Sequence, residues 1–378
     1  MRILIIPDSF KENLSSSMVA KAIRQGIVNV LPKVNIKEIP FSDGGEGALT
    51  VLQKYSAGRI VKCKTVNALG ESIQADYFLF KEKKTAWIEL SQASGLNLIP
   101  KERRNALIAS TYGTGILIKN ALEKGCNEII LGVGGSATTD GGAGIFEALG
   151  GLLIDKEGNY LRKGGASLKK LHKIIPPKIS RKITWKVAFD VTNPILGKNG
   201  AANVYSPQKG ASQEDLVTLN ESLTNFVKVI EKKFKRKISS LVGGGAAGGT
   251  AAGLHGFFGA TLDSGFLILS DLIDLEKEIK DVDLIFTAEG KIDHQSIQGK
   301  LTGNVAKLGK KYSIPVIGLS GKLVGDSDVL YKNGFSGIFS IQNGPMDLSE
   351  SLSYSSELLT DITSRVLTFY KNSSGLSI

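Results

Sequence analysis

The sequence predicts an α/β protein of two domains, with one domain interrupted along the chain by the other. Its 378 residues are more than one hydrophobic core usually organises. Short β-branched runs alternate with amphipathic helical segments near both ends of the chain, which is typical of parallel sheets. Between about residues 60 and 100 the pattern changes to alternating residues and turn-like segments, which indicates antiparallel hairpins.

The N-terminal segments predict a strand, a helix and a second strand. The run RILIIP (2–7) is apolar and β-branched, as expected of a buried parallel strand. In SSSMVAKAIRQGIVNVL (15–31), apolar residues recur at helical spacing and serines can cap the start. The next strand, VNIKEIP (34–40), leads into a glycine-rich loop. This order requires a crossover connection and a parallel sheet.

The central region combines hairpins with further strands and helices. In residues 62–90 the segments ALGES and KEKK separate alternating runs, so we expect antiparallel strands there. The runs NEIILG (127–132) and WKVAFD (185–190) predict strands, and residues 212–234 form an amphipathic helix with Ser212 as its N-cap.

The last hundred residues return to the pattern of a parallel sheet. Three strands are predicted, DLIFTAEG (283–290), VIGLSG (316–321) and GIFSIQNG (337–344), followed by a helix from Leu352 to Tyr370. These strands and the first two can form one five-stranded parallel sheet. We therefore expect one domain from residues 1–45 and 278–378, and a second, inserted domain from residues 46–277.

Composition argues against several classes of protein. The apolar share of 42% and the charged share of 22% are ordinary for a globular protein. The net charge of +11 comes mainly from scattered lysines, without an arginine cluster or a nucleic-acid-binding signature, so no nucleic-acid partner is expected. Cys63 and Cys126 lie far apart, which favours buried, reduced thiols. No run of 18 apolar residues exists, so we expect a cytoplasmic protein without a membrane span.

Five predicted strands end in loops that carry acidic residues or glycines. These loops are PDSFK (7–11), SDGGEG (42–47), GVGGSATTDGGAG (132–144), FDVTNP (189–194) and TAEGKID (287–293). Ligands of open α/β sheets bind outside the carboxyl ends of the strands. The third loop has six glycines and stands between a strand and a helix, so its backbone N–H groups suit a phosphate. Asp140 within it could approach a metal ion that bridges phosphates.

Two alternatives remain open at this point. GVGGSA also matches the dinucleotide-binding pattern, with Asp155 where a ribose-binding acid belongs, which would indicate an NAD(P)-dependent dehydrogenase. Against this, the glycines continue through Gly141, Gly142 and Gly144, where the helix of that motif should be regular. A second glycine block, residues 241–260, is either a closely packed helix or another ligand-facing loop.

Several blocks together resemble the type I glycerate kinases. PDSFKENLSSS resembles the PDSFKGSLSA of that family, and SDGGEG resembles its ADGGEGT. The resemblance continues through GVGGSATTDGGAG, FDVTNPILGKNGAANVYSPQKGA, GGGAAGGTAAGL and TAEGKIDHQSIQGK, in the order of the family, so it covers essentially the whole chain. It departs at Glu12, Ser42 and Lys291, where the family usually has Gly, Ala and Arg. It implies a flavodoxin-like domain split in sequence around a second α/β domain.

The resemblance also implies an activity, ATP-dependent phosphorylation of D-glycerate at the 2-hydroxyl, with Mg²⁺. Phosphoryl transfer requires positioning and charge neutralisation more than covalent protein chemistry. Whether the enzyme is a monomer or a homodimer stays open. The residues expected to bind the ATP phosphates are Gly134, Gly135, Ser136 and Thr138; those expected to hold Mg²⁺ are Asp190 and Asp140; those expected to bind glycerate are Asp8, Ser9, Lys11 and Asp43; and the catalytic residues expected are Asp190, Lys11 and Asp293, with Asp293 favoured over Asp43 as the base.

Overall fold

The computed structural model describes residues 1–10, 13–41, 47–293, 296, 300–324 and 326–373. It divides the chain into two compact units. The discontinuous unit consists of Met1–Asp43 and Leu269–Ile378, and the inserted unit is Gly44–Ile268. No helix in the described part of the chain is both long enough and apolar enough to cross a membrane.

The elements alternate as an α/β protein requires. The strands are β1 (Arg2–Pro7), β2 (Asn35–Glu38), β3 (Gly58–Val66), β4 (Ser72–Phe80), β5 (Thr85–Glu89), β6 (Glu128–Gly132), β7 (Leu152–Ile154), β8 (Lys173–Ile175), β9 (Thr184–Phe189), β10 (Thr261–Ser264), β11 (Leu284–Ile292), β12 (Val316–Leu323) and β13 (Gly337–Ser340). The helices are α1 (Ser16–Val30), α2 (Ala48–Tyr55), α3 (Ser91–Ser94), α4 (Tyr112–Glu123), α5 (Ala143–Ala148), α6 (Ala201–Tyr205), α7 (Gln213–Phe234), α8 (Ala246–Phe258), α9 (Gly265–Leu272), α10 (Leu275–Lys280), α11 (Leu301–Lys311), α12 (Ser327–Lys332), α13 (Leu348–Ser353) and α14 (Ser355–Ser373).

The discontinuous unit is built on a five-stranded sheet in which every neighbouring pair is parallel. Its strand order is β2-β1-β11-β12-β13, which is the flavodoxin-like order. The chain moves outward from β1 to β2 and returns on the other side of β1 at β11. The α/β fold class with a parallel sheet is therefore confirmed, and the reversal in strand order between β1 and β11 is the place where such sheets usually bind ligands, beyond the carboxyl ends of the strands.

Apolar residues on both sides of this sheet explain why its strands are buried. The last five residues of β1 are buried, and the apolar stripe of α1 packs with β1 and α14 in one core. Gly26 allows that approach, because a Cβ atom there would lie 2.5 Å from the carbonyl oxygen of Thr360 in α14. Ser15 caps α1 by accepting a hydrogen bond from the N–H of Met18, as its position before the helix predicts.

The inserted unit contains a six-stranded mixed sheet in the order β10-β9-β6-β5-β4-β3. The strands from β5 to β10 in this order pair in parallel, whereas β3, β4 and β5 pair as antiparallel neighbours, which confirms the predicted hairpins. Strands β7 and β8 form a separate two-stranded sheet. Helix α7 begins with a capping box in which Ser212 and Asp215 each accept a backbone N–H of the other. Cys63 and Cys126 are buried and free.

The second glycine block begins as turns and ends as a helix, and close packing explains its composition. It contains α8, whose first turn departs from helical geometry at Ala247, Gly248 and Gly249. A Cβ atom at Gly253 would lie 1.8 Å from the carbonyl oxygen of Gly141, and one at Gly248 would lie 2.1 Å from that of Thr138. The helix therefore lies directly against the backbone of the loop after β6, and only glycine permits this distance.

Candidate active site

Three loops of the inserted unit leave the same edge of its sheet. Strands β5, β6 and β9 are parallel neighbours, and their pairing places Glu89 beside Gly132 and Gly132 beside Ala188. The loop 133–142, which follows β6, therefore lies between the loop after β5 and the loop after β9. We call residues 133–142 the glycine loop. Asp190 directly follows β9 on this same edge.

The glycine loop presents open backbone donors. Among the hydrogen bonds that hold it, one runs from the N–H of Leu96 to the carbonyl of Gly135 (2.8 Å) and one from the N–H of Ala137 to the carbonyl of Ser94 (2.9 Å). Gly135 has a left-handed φ of +68° and is exposed. Within the described part of the chain, the N–H groups of Gly134, Gly135 and Ser136 donate to no other group. Successive open N–H groups around a left-handed residue form a concavity that suits an anion.

A buried lysine lies beneath this loop. Lys209 is 2% exposed, and its Nζ donates to the hydroxyl of Ser136 (2.9 Å) and to the carbonyl of Thr138 (2.6 Å). Burial lowers the pKa of Lys209 to about 7, and the negative charge of Asp140 partly opposes that shift. The hydroxyl of Thr138 is buried without a partner among the described residues, so the loop keeps one further donor unused.

Asp140 has a different environment from the one expected of a metal ligand. It is fully buried, and its carboxylate accepts from the N–H and hydroxyl of Thr111 (2.8 and 2.9 Å) and from the N–H groups of Gly142 (3.1 Å) and Gly144 (3.2 Å). These donors lie at the starts of α4 and α5, so the carboxylate of Asp140 balances the positive ends of both helix dipoles. Burial raises the pKa of Asp140, and the four donors oppose that shift. The carboxylate of Asp140 thus organises the loop through these four hydrogen bonds, and its expected role in metal binding stays a prediction.

Asp190, in contrast, is exposed at the end of β9. Its negative charge adds to the effect of burial on Tyr205 and raises the pKa of that phenol to about 12. The Tyr205 hydroxyl in turn donates to Asn193 (2.7 Å) in the same loop. An exposed carboxylate next to an anion-binding loop is the kind of ligand that Mg²⁺ uses together with phosphate oxygens. Among the described residues, no group of three or more acidic, His or Cys side chains could hold a metal by itself.

In the discontinuous unit, two of the predicted glycerate-binding residues, Asp8 and Ser9, and the predicted base, Asp293, follow neighbouring strands. Asp8 and Ser9 follow β1, and the N–H of Asp8 donates to the carbonyl of Ala288 in β11 (2.8 Å). The N–H of Ser9 donates to the carboxylate of Asp8 (2.7 Å). Asp293 follows β11 on the same edge, is 3% exposed and forms an ion pair with Lys291 (2.6 Å). Asp8 and Ser9 therefore lie beside β11 at the level of Ala288 and Glu289, and Asp293 lies further along the chain, after the end of that strand.

Two of the predicted residues, Lys11 and Asp43, lie outside the described residues.

Beside Asp293, a second carboxylate that the sequence analysis did not select supports the same loop. Glu289 accepts from the ammonium of Lys300 (2.6 Å) and from the hydroxyls of Ser296 (3.1 Å) and Thr302 (3.0 Å). Glu289 therefore joins Ser296, Lys300 and Thr302 through its two carboxylate oxygens.

Lys209 was also missed by sequence reasoning. Its only local signal is a lysine in the short turn SPQKG, where the preceding and following residues favour a bend rather than a helix surface. Sequence alone cannot distinguish this lysine from the many exposed ones, because its burial depends on residues about seventy positions away.

The structure removes the dinucleotide-binding alternative. Asp155 follows β7, which pairs only with β8 in an antiparallel sheet and does not neighbour β6 in the described structure. The acid of a dinucleotide-binding unit belongs at the end of the parallel strand beside the glycine turn. Here the Asp155 carboxylate instead accepts the N–H of Asn159 (2.8 Å) in an exposed turn.

Comparison with known proteins gives a consistent assignment. The model of the "Glycerate kinase family" matches residues 3–371. A glycerate kinase of Halalkalibacterium halodurans is 41% identical over 361 residues, covering 94% of this chain and 95% of that protein. A glycerate 2-kinase of Escherichia coli K12 is 42% identical over 355 residues, with 93% of each chain covered. A crystal structure of a Salmonella typhimurium LT2 protein assigned as glycerate kinase 2 superimposes with a TM-score of 0.77 at 39% identity, covering both chains completely. By its sequence and its fold, the chain belongs to the glycerate kinase family.

Proposed function

We propose that this member of the glycerate kinase family transfers the γ-phosphoryl group of ATP to the 2-hydroxyl of D-glycerate. The products would be 2-phosphoglycerate and ADP. The observation that carries this proposal is the glycine loop, where the open N–H groups of Gly134, Gly135 and Ser136 lie next to the buried ammonium of Lys209. The glycerate 2-kinase of Escherichia coli, at 42% identity, supports the 2-hydroxyl as the acceptor.

The glycine loop would bind the phosphates of ATP. Its open N–H groups, together with the hydroxyls of Ser136 and Thr138, would donate to phosphate oxygens. Asp190 would hold Mg²⁺, since it offers an exposed carboxylate on the neighbouring strand end. The metal ion, when bound, neutralises the charge that the phosphate oxygens develop during transfer.

Glycerate would bind beyond the carboxyl ends of β1 and β11 in the discontinuous unit. Asp8 and Ser9 can hydrogen-bond its hydroxyls, and Lys11 and Asp43 belong to the same assigned set by their place in the sequence. Asp293 would act as the general base. As the 2-hydroxyl oxygen bonds to the γ-phosphorus, the bond from phosphorus to the bridging oxygen of ADP breaks, and the hydroxyl proton passes to Asp293.

The test is ADP release from ATP and Mg²⁺ with D-glycerate, run beside L-glycerate, glycerol and hydroxypyruvate. GTP in place of ATP tests the choice of nucleotide. We expect turnover with D-glycerate and ATP. A proton-coupled phosphorus NMR spectrum of the same reaction identifies the hydroxyl, because a phosphate on the 2-position couples to one hydrogen and gives a doublet, whereas one on the 3-position gives a triplet.

The outcomes separate the parts of the proposal. A triplet would overturn the 2-hydroxyl assignment while keeping the kinase. Turnover with another hydroxy acid, but none with D-glycerate, would overturn the substrate. If no acceptor supports ADP release, phosphoryl transfer itself is excluded for this chain.

A further inference from the structure

Lys209 is fixed under the glycine loop by the turn that carries it. It ends the 3₁₀ turn Pro207–Lys209, and the next residue, Gly210, has a φ of +88°. The hydroxyl of Ser206, which precedes this turn, lies 3.0 Å from that of Thr139 in the loop. A Cβ atom at Gly210 would lie 2.4 Å from the carbonyl oxygen of Arg104, so the turn is also held from its other side. These contacts place the backbone of Lys209 beside the glycine loop, and the two hydrogen bonds of its Nζ place the ammonium.

The charge of Lys209 is not neutralised by an ion pair. In the described part of the chain, no carboxylate lies within ion-pair distance of its Nζ, and its two acceptors, Ser136 and Thr138, are neutral. A buried cation without a paired anion is costly, and proteins rarely keep one for structural reasons. Asp140 contributes an attractive charge at longer range, but its own carboxylate is committed to four other donors. The environment of Lys209 therefore lacks one negative charge close by.

The hydrogen bond from Lys209 fixes the direction of the Ser136 hydroxyl. When Lys209 is charged its ammonium group can only donate, so the oxygen of Ser136 is the acceptor at 2.9 Å. The hydroxyl proton of Ser136 must then point away from Lys209. The backbone N–H of Ser136 is also open, so one residue offers two donors beside the N–H groups of Gly134 and Gly135. Together they form a set of donors that an anion can accept from.

We propose that Lys209 is a positioning residue of the phosphate site, and that it acts through Ser136. The buried ammonium orients and polarises the Ser136 hydroxyl toward a nucleotide phosphate bound on the glycine loop, and the phosphate supplies the negative charge that Lys209 lacks. This inference rests on the proposed nucleotide-binding role of the loop. It assigns no direct contact between Lys209 and the nucleotide.

The test is a double-mutant cycle on the binding of ADP, measured by calorimetry with Lys209→Met, Ser136→Ala and the double variant. If Lys209 acts through Ser136, each single variant weakens ADP binding about 10- to 100-fold, which is the usual range for one charge-assisted hydrogen bond. The double variant should then bind about as weakly as the weaker single variant, because both substitutions remove the same interaction. Lys232→Met is the matched control, since Lys232 is exposed on α7, and it should bind ADP like the wild type.

The kinetics add a measurement that a purely structural lysine would not affect. The KM for ATP should rise in both single variants, while the KM for D-glycerate stays within about twofold of the wild-type value. Losses that multiply in the double variant, or an unchanged affinity of Ser136→Ala for ADP, would overturn the proposal. Ser136→Ala also decides the question if Lys209→Met fails to fold. A wild-type protein that binds no ADP would instead overturn the nucleotide assignment, and this inference with it.

Discussion

The carboxylate of Asp140 accepts hydrogen bonds from both the backbone N–H and the hydroxyl of Thr111, at 2.8 and 2.9 Å. Thr111 precedes α4, whereas Asp140 precedes α5, so this pair joins the starts of two helices inside the inserted unit. The same Thr111 hydroxyl also accepts the N–H of Ile145 (3.1 Å). The glycine loop therefore owes its shape to an internal carboxylate.

Asp140→Asn should consequently act on stability. The amide keeps one acceptor oxygen but turns two donors toward N–H and hydroxyl groups that already donate, leaving buried groups unpaired. We expect the free energy of unfolding to fall by about 2–4 kcal/mol, as measured by urea denaturation. The Mg²⁺ concentration for half-maximal activity of the folded fraction should not change. Wild-type stability with a raised Mg²⁺ requirement would identify Asp140 as a metal ligand.

Asp190→Asn should lower activity and leave stability unchanged, the reverse of what we expect for Asp140→Asn. Because the Asp190 side chain is exposed, this substitution should leave the free energy of unfolding within about 0.5 kcal/mol of the wild-type value. The kcat should fall by about a hundredfold or more, since the carboxylate proposed to hold Mg²⁺ is lost. Asp281→Asn, at an exposed aspartate after α10, serves as the control and should keep full activity. Near-normal turnover of Asp190→Asn would remove this residue from the mechanism.

Two glycines of α8 offer a matched pair for the close helix–loop contact. In Gly253→Ala the new Cβ would meet the Gly141 carbonyl oxygen at 1.8 Å, so helix and loop must separate. In Gly256→Ala it would meet a methyl group of Ile230 at 2.4 Å, and a side chain can move aside. We expect Gly253→Ala to lose more than about 3 kcal/mol, or to fail to fold, and Gly256→Ala to lose about 1–2 kcal/mol. Equal stabilities of the two variants would contradict this packing.

Glu147 in α5 should make stability depend on pH. Burial, together with the negative charge of Asp140, raises the pKa of Glu147 to about 7, against an ordinary value near 4.5. Between these values the native state holds a proton that the unfolded chain has released, so stability falls as pH rises from about 4.5 to 7. Glu147→Gln should remove this loss and gain about 1–2 kcal/mol at pH 8, with no gain at pH 4.5. A gain independent of pH would contradict the assigned titration.

Lys209 should couple nucleotide binding to proton uptake. Its pKa of about 7 leaves the free protein largely unprotonated at this site above neutral pH. A phosphate bound nearby favours the charged form, so ADP binding at pH 8 should take up a proton and should weaken as pH rises from about 7 to 9. Calorimetry in buffers of different ionisation enthalpy measures the uptake. Lys209→Met should lack it, and uptake that persists in this variant would locate the titrating group elsewhere.

Much of the fold could be predicted from hydrophobic periodicity. RILIIP was expected as a parallel strand over 2–7 and forms β1 over those residues, because a run of consecutive apolar side chains is stable only when both faces are covered. The hairpins were expected from alternation and turn composition, and they form β3, β4 and β5. The long C-terminal helix was expected as one segment but is divided at Tyr354, which caps α13 before α14 begins.

The candidate site was harder to predict, because the role of each residue depends on which groups surround its side chain in the folded protein. An aspartate in a glycine-rich loop looks the same in sequence whether its side chain faces a metal or two helix ends, and Asp140 does the second. Residues 241–260 were equally compatible with a helix and a loop, since glycine and alanine permit both. In the structure the block is non-helical through Gly249 and helical after it, and the helical part packs against the Gly141 carbonyl, a contact that depends on the tertiary fold.

The division of the first sheet between the two ends of the chain has a consequence during synthesis on the ribosome. Strands β1 and β2 emerge first, yet β1 needs β11 on its other side, and two strands alone are rarely stable. The inserted unit is made in between, which takes on the order of ten seconds or more at ordinary elongation rates. Throughout that interval an apolar strand has an unpaired edge, which other nascent chains could pair with. Truncated products that end before Leu284 retain that edge permanently, so they should be the species that aggregate or that chaperones and proteases remove.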